Sequence, residues 1–292
     1  MTGAAVLPYW LALGAAVAAP PAAPTSVPAT SAPPAISAPG MSGAPPLSAP
    51  PMSVAPASVG LPPAAATRPI RRVETQQPEV VLTFDACATK KGWYGFDRDV
   101  FEILKREQVP ATIFVSGLWV ETHPEAMADL TGDPLIEFGD HSYDHPHMTT
   151  LSAARVDEEI DATEAALSRY GRHAVAFRPP FGDWNRKLVE RVRERQLPTV
   201  TWDVVSGDPG THATTAAIVR AVLGQAKAGS IIVFHINGRG WKTHEALPEV
   251  LAGLRQRGFK FVSLSELLRD ETGAPAPVGT QAVSEPPGPL GP

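Results

Sequence analysis

The chain of 292 residues holds a single cysteine, Cys87, so it forms no internal disulfide and any fold must rest on a packed core. Charge is missing from the first 67 residues altogether, since no Asp, Glu, Lys, Arg or His precedes Arg68. That stretch is poor in large apolar side chains and carries nearly half of the 32 prolines, as in PPAAPTSVPATSAPPAISAPG. Such a composition cannot offset the chain entropy lost on folding. Dense Lys/Arg stripes are lacking too, and with a formal net charge of −5 this excludes nucleic acid as the main partner. No apolar run is long enough to span a bilayer. YWLALGAAVAAP near the start has instead the length of a signal-peptide core, and Ala16-Val17-Ala18 offers the small residues a signal peptidase accepts.

These absences divide the chain. We expect a signal peptide over 1–19, a Pro/Ala/Ser-rich disordered linker over 20–73, one folded domain over 74–270 and a disordered tail over 271–292. An apolar leader followed by an uncharged stalk suits a secreted protein, periplasmic or associated with the cell wall.

Within the folded part, short β-branched runs alternate with helical patterns, the signature of βα units around a parallel sheet or barrel. Strands are expected at VVLTF (Val80), ATIFV (Ala111), LIEFG (Leu135), AVAF (Ala174), PTVTW (Pro198), IIVF (Ile231) and KFVSL (Lys260). After Ser152, the residues Val156, Ile160, Thr163, Leu167 and Tyr170 recur at helical spacing, and Gly171 supplies a left-handed stop. Helices are also expected over Asp97–Glu107, Trp184–Arg195, Thr214–Ala228 and Thr243–Gly258. Together they predict a (β/α) barrel, complete or incomplete, with a doubly wound open sheet as the alternative.

The reactive side chains gather at the C-terminal ends of the expected strands, where βα loops of a parallel barrel surround one mouth. Asp85 follows the first strand and His141 and His145 follow the third. Arg178, Asp203 with Asp208, and His235 follow the fourth, fifth and sixth. The two histidines, spaced i and i+4, can present both imidazoles to one divalent ion. His147 falls outside that spacing and reads as a loop residue. Arg178, stiffened by Pro179-Pro180, can clamp a carboxylate, and His235 at the rim of an apolar core can carry a tuned proton. Trp184, Trp202 and Trp241 fall in the same loops, where aromatic faces suit sugar rings.

Five ordered segments, TFDAC, HSYDHP, RPPFG, WDVVSGD and FHING, resemble the motifs of the polysaccharide deacetylases with a NodB-type homology domain, over about Glu79 to Leu268. The resemblance implies a distorted (β/α)7 barrel and a metal-assisted N-deacetylase acting on an amino-sugar glycan such as peptidoglycan or a chitin-like polymer. It implies Asp85 as base, His235 as acid, and Arg178 and Asp208 as their charge partners. It implies Trp202, Pro179 and Phe181 as pocket walls, and a divalent ion, zinc, on His141 and His145. The family's first motif carries two consecutive aspartates, and the second, a metal ligand, is here Ala86. The third ligand would then come from Asp140, Asp144, Asp97 or Cys87. The missing carboxylate keeps two other readings open: a metal-independent amidase for small or cyclic amides, and a wall glycan-binding protein without catalysis.

Overall fold

The computed structural model describes residues 67–89 and 95–272. The expected signal peptide, most of the linker and nearly all of the tail lie outside the described residues.

Seven parallel strands form one sheet: β1 (Glu79–Ala86), β2 (Ala111–Val115), β3 (Ile136–Asp140), β4 (Ala174–Phe177), β5 (Val204–Val205), β6 (Ser230–His235) and β7 (Lys260–Phe261). The order is β4-β3-β2-β1-β6-β5, with β7 set against the first residues of β1. Eight helices accompany them among the described residues: α1 (Arg98–Arg106), α2 (Gly117–Thr122), α3 (Pro124–Thr131), α4 (Ala153–Ser168), α5 (Arg186–Arg193), α6 (Thr215–Gln225), α7 (Thr243–Gln256) and α8 (Leu264–Thr272).

Strand parity builds two cores. Leu82, Phe84 and Ala86 of β1 face the outer layer, where they meet Ile113 and Val115, Ile232 and Phe234, and the apolar faces of α1, α6 and α7. Val81 faces the other way and joins Phe114, Ala176, Val200 and Ile231 with Leu264, Leu267 and Leu268 of α8. Both faces of the sheet are thus covered, as parallel strands require. Phe84 and Phe234 stack at 5.4 Å between ring centroids. Truncating either fully buried ring to alanine costs about 3–5 kcal/mol.

Side chains fix where helices begin. Asp97 caps α1 by accepting the Val100 N–H, and Ser152 caps α4 by accepting that of Arg155. The Ser116 hydroxyl caps α2 and also accepts the Ala88 N–H at 2.9 Å, tying the loop after β1 to the end of β2. Trp184 lies outside α5, which starts after the cap Asn185.

The expected fifth strand at Pro198–Trp202 is replaced by two single bridges, Phe177 with Thr199 and Ile70 with Val200, and the strand proper is Val204–Val205. Pro198 has no N–H to give, and the Asp203 side chain takes the Ile231 N–H at 2.9 Å, filling the ladder position itself. The bridges close the barrel. From β4 the path runs through Thr199 and Val200 to Ile70, and Arg72 then pairs with Ser230 of β6. Ile70 and Val73, placed by composition in the linker, are buried members of the inner core, so the folded unit begins before residue 74.

Candidate active site

Parallel pairing of β1 with β6 sets Asp85 directly beside His235, two steps beyond the Val81–Ile231 layer of the inner core. Both side chains therefore face the barrel mouth. Across it, the fully buried Arg178 donates from one terminal nitrogen to Asp85 Oδ1 at 2.7 Å and from the other to Thr83 Oγ1 at 2.8 Å. Its guanidinium also lies 3.9 Å from the Phe114 ring centroid, which fixes its plane. Burial works to raise the Asp85 pKa, yet Arg178, helped by His141 and His235, holds it below the usual value, so the carboxylate stays ionised.

His235 is partnered from behind. Asp208 Oδ1 faces His235 Nδ1 at 2.9 Å, and Oδ2 accepts the His235 backbone N–H at 2.7 Å and the Thr243 hydroxyl at 2.6 Å. Burial would depress the imidazole, but the Asp208 carboxylate outweighs it and the pKa rises, leaving Nε2 able to carry a proton toward the mouth. Gly240 is required here. A Cβ on it would sit 2.5 Å from the His235 carbonyl oxygen and 2.8 Å from Asp208 Oδ2.

His141 faces a backbone carbonyl, that of Arg178, from Nδ1 at 2.8 Å. A carbonyl only accepts, so Nδ1 holds the proton and Nε2 turns a lone pair toward Asp85 Oδ2, 3.6 Å away. The His145 ring stands 4.9 Å from that of His141 at 71°. Burial lowers both pKa values, that of His145 to about 3, so both imidazoles are neutral donors. The loop between them needs support, because Ser142 (φ +63) and His145 (φ +60) occupy the left-handed region. Glu159 of α4 gives it: its buried Oε2 accepts the N–H groups of Tyr143 at 2.7 Å and Asp144 at 3.0 Å, while Oε1 pairs with Arg155. Glu159 belongs to the charged run Asp157-Glu158-Glu159 of α4, and helical periodicity does not show what a loop above the helix will take from it.

Two imidazoles face the mouth, but among the described residues no third metal ligand joins them. Ala86 lies in the outer apolar layer. Burial, with Asp85 adding to it, pushes the Cys87 thiol up to about 12, and its sulfur accepts from Asn237 at 3.3 Å. Asp140 gives Oδ1 to the Ser142 N–H, and burial raises its pKa well above the ordinary carboxylate range. Asp144 lies 3.5 Å from Arg155, and Asp97 caps α1 with one oxygen and meets His244 with the other. Among the described residues no cluster of three or more His, Cys, Asp or Glu could hold an ion, and residues 90–94, KKGWY, contain none of those types. A catalytic zinc usually has three protein ligands and an open position, so the residues present do not fit that centre.

The aromatic side chains separate. Phe181 (φ +61) is 56% exposed and stands edge-on to His145 at 4.5 Å. His147, expected as a loop residue, stacks on the same ring at 4.2 Å. Trp202 packs near Arg178 and over Gly182, next to Phe181, whereas Trp184 and Trp241 are exposed. Pro179 precedes a buried Pro180 in extended backbone. Asp203 serves the β5–β6 edge rather than the mouth. A separate cavity of about 470 Å3, lined by Met148, Leu151, Val156, Leu188 and Arg191, touches none of the residues that converge on Asp85.

One further side chain bears on the mouth. Asn237, in the loop after β6, donates its amide to the Cys87 carbonyl at 2.9 Å and thereby fastens this loop to the one after β1. Two residues on, Arg239 is half-buried.

The sequence model of the family described as "Polysaccharide deacetylase" matches residues 72–200. A family 4 carbohydrate esterase from Streptomyces lividans, solved with acetate, is 30% identical and superposes with a TM-score of 0.55, covering 63% of this chain and 91% of its own. The chain belongs to the polysaccharide deacetylase family. A family 4 pseudoenzyme from Bacillus anthracis is 27% identical with a TM-score of 0.62, covering 70% of each chain. A peptidoglycan-N-acetylglucosamine deacetylase of Bacillus cereus is 28% identical over 200 residues, 68% of this chain and 91% of that protein. The uncharacterised protein YlxY of Bacillus subtilis is 30% identical over 171 residues, 58% of this chain, which spans about half of that relative.

Proposed function

We propose that this protein is a hydrolase that removes N-acetyl groups from an amino-sugar polymer, with a cell-wall glycan as substrate and a place of action outside the cytoplasm. The observation that carries this is the pairing of an ionised Asp85 with a protonatable His235 on adjacent strands, each backed by a buried partner of opposite charge. Asp85 takes a proton from water as the oxygen adds to the acetamide carbonyl. His235 gives its Nε2 proton to the departing amine nitrogen, and Asp208 steadies the imidazole that supplied it. Arg178 keeps Asp85 oriented, and Phe181 and Trp202 offer faces for the sugar. The products are acetate and a free amine. Family 4 deacetylases generally depend on a metal, and His141 and His145 are the donors that a divalent ion such as zinc would meet. Among the described residues these two donors lack the third ligand such an ion usually has.

Acetate release from peptidoglycan and chitooligosaccharides, measured in chelator and again with added zinc, tests the reading. Release that disappears in Asp85→Asn and His235→Gln supports it, and no release from any acetylated glycan would sink it.

A second reading rests on Ala86 and on the likeness to a pseudoenzyme, for which a mutant is described as regaining activity. In that case the mouth binds glycan without turnover. Tight glycan binding that survives both substitutions, with no acetate from the parent protein, would establish it.

A further inference from the structure

We infer that Ser206 and Thr243 are positioning residues of the proton donor, whose two hydroxyls clamp the Asp208 carboxylate with one oxygen turned to His235 Nδ1. The inference rests on the deacetylase reading and deepens it. Asp208 is fully buried, and among the described residues its one ion-pair partner is His235. With no lysine or arginine against it, the carboxylate depends on hydrogen-bond donors in place of water.

Four donors meet it. His235 supplies two, Nδ1 to Oδ1 at 2.9 Å and the backbone N–H to Oδ2 at 2.7 Å. The Ser206 hydroxyl donates to Oδ1 at 2.9 Å and that of Thr243 to Oδ2 at 2.6 Å. A carboxylate offers about four lone-pair sites, so this one is saturated. Each oxygen holds one contact with His235 and one with a hydroxyl, and rotation of the carboxylate would break all four bonds together. With Oδ1 fixed as the acceptor, Nδ1 keeps its proton, and the one that leaves the ring is on Nε2. It passes to the amine nitrogen as that nitrogen takes the electron pair of the breaking C–N bond.

The clamps are themselves held. Ser206 is buried just after β5, its backbone N–H directed to the Val233 carbonyl of β6 at 3.4 Å and its Oγ accepting the Asp208 N–H at 3.3 Å. Thr243 is buried at the first position of α7, with its N–H on the Gly240 carbonyl at 3.0 Å. Gly240 provides the clearance, since a Cβ there would collide with the Thr243 hydroxyl. Both hydroxyls donate to Asp208 alone, so each acts on the imidazole through that carboxylate.

The test uses the full-length protein with isotope-labelled histidine. At a pH where the His235 ring is neutral, its Nδ1 signal is read through the carbon-bound ring protons and assigned by its loss in His235→Gln. In Thr243→Val and in Ser206→Ala we expect this signal to move part of the way to its position in Asp208→Asn, and in Thr243→Ser to return to the parent position. The kcat for acetate release should fall about tenfold in Thr243→Val with KM little changed, and recover to within about twofold of the parent in Thr243→Ser. A signal at the parent position in either Thr243→Val or Ser206→Ala overturns the inference, as does a Thr243→Ser protein that behaves like Thr243→Val. Where Thr243→Val does not fold, the signal in Ser206→Ala decides alone. Shifted signals in variants of a parent that releases no acetate overturn the deacetylase reading and leave the clamp on Asp208 and His235 standing.

Discussion

Two halves of the mouth are built differently. Asp85 and His235 stand on adjacent strands, where register alone places them and buried partners of opposite charge hold them. His141 and His145 bracket a loop with left-handed residues, propped from below by one glutamate of a helix. A half set by strand parity tolerates change elsewhere in the chain. A half set by a loop depends on each residue that holds it.

The largest break should come on the strand side. Asp85→Asn is expected to reduce acetate release by about a thousandfold or more and to lower the melting temperature, because it leaves buried Arg178 without its counter-charge. Residual activity within tenfold of the parent would move the base elsewhere.

The pH dependence follows next. The proposed reaction needs Asp85 ionised and His235 protonated, so its acid limb is expected below the ordinary carboxylate value of 3.8 and its alkaline limb above the ordinary imidazole value of 6.5. The stability linked to His235 is complete below pH 6.5 and is lost as pH rises through its folded value, since that value is raised. In Asp208→Asn the alkaline limb should move to lower pH, giving a loss of about tenfold or more at pH 8. An unmoved limb in the kcat/KM profile would remove Asp208 from this role.

On the loop side, Glu159→Leu should destabilise the fold by about 1–3 kcal/mol through the two unpaired N–H groups. It should also weaken divalent-ion binding at the histidines, with partial rescue by Glu159→Gln. Calorimetry that finds ion binding unchanged in the leucine variant would show that the loop holds its shape unaided. The smallest effect belongs to Cys87. Replacement by alanine should leave acetate release and ion affinity within about twofold, and the thiol should react slowly with alkylating agents at pH 8, its pKa being about 12.

The strand half was legible in the sequence because β-branched runs and a period of two locate strand ends, and strand ends locate Asp85, Arg178 and His235. The missing ligand was legible too, since an alanine cannot coordinate. What escaped depends on tertiary partners. Asp203 displaced the expected fifth strand by taking a ladder hydrogen bond with its side chain. Ile70 and Val73 were hidden at the edge of a proline-rich stretch, and α2 and α3 lacked a strong period. Glu159 lies in a charged run of α4, and only the folded loop shows that its carboxylate holds the Tyr143 and Asp144 N–H groups.

The tie between Cys87 and Asn237 spans 150 residues of sequence, and the neighbouring pair Asp85 and His235 is separated equally far. β1 leaves the ribosome early and must wait for β6 before its carboxylate acquires a proton-donating neighbour. Half-made chains therefore hold no partner for the proposed acid–base couple, and bringing the two strand ends together costs the closure entropy of a long loop. Catalytic competence is in this sense a report that the barrel has closed.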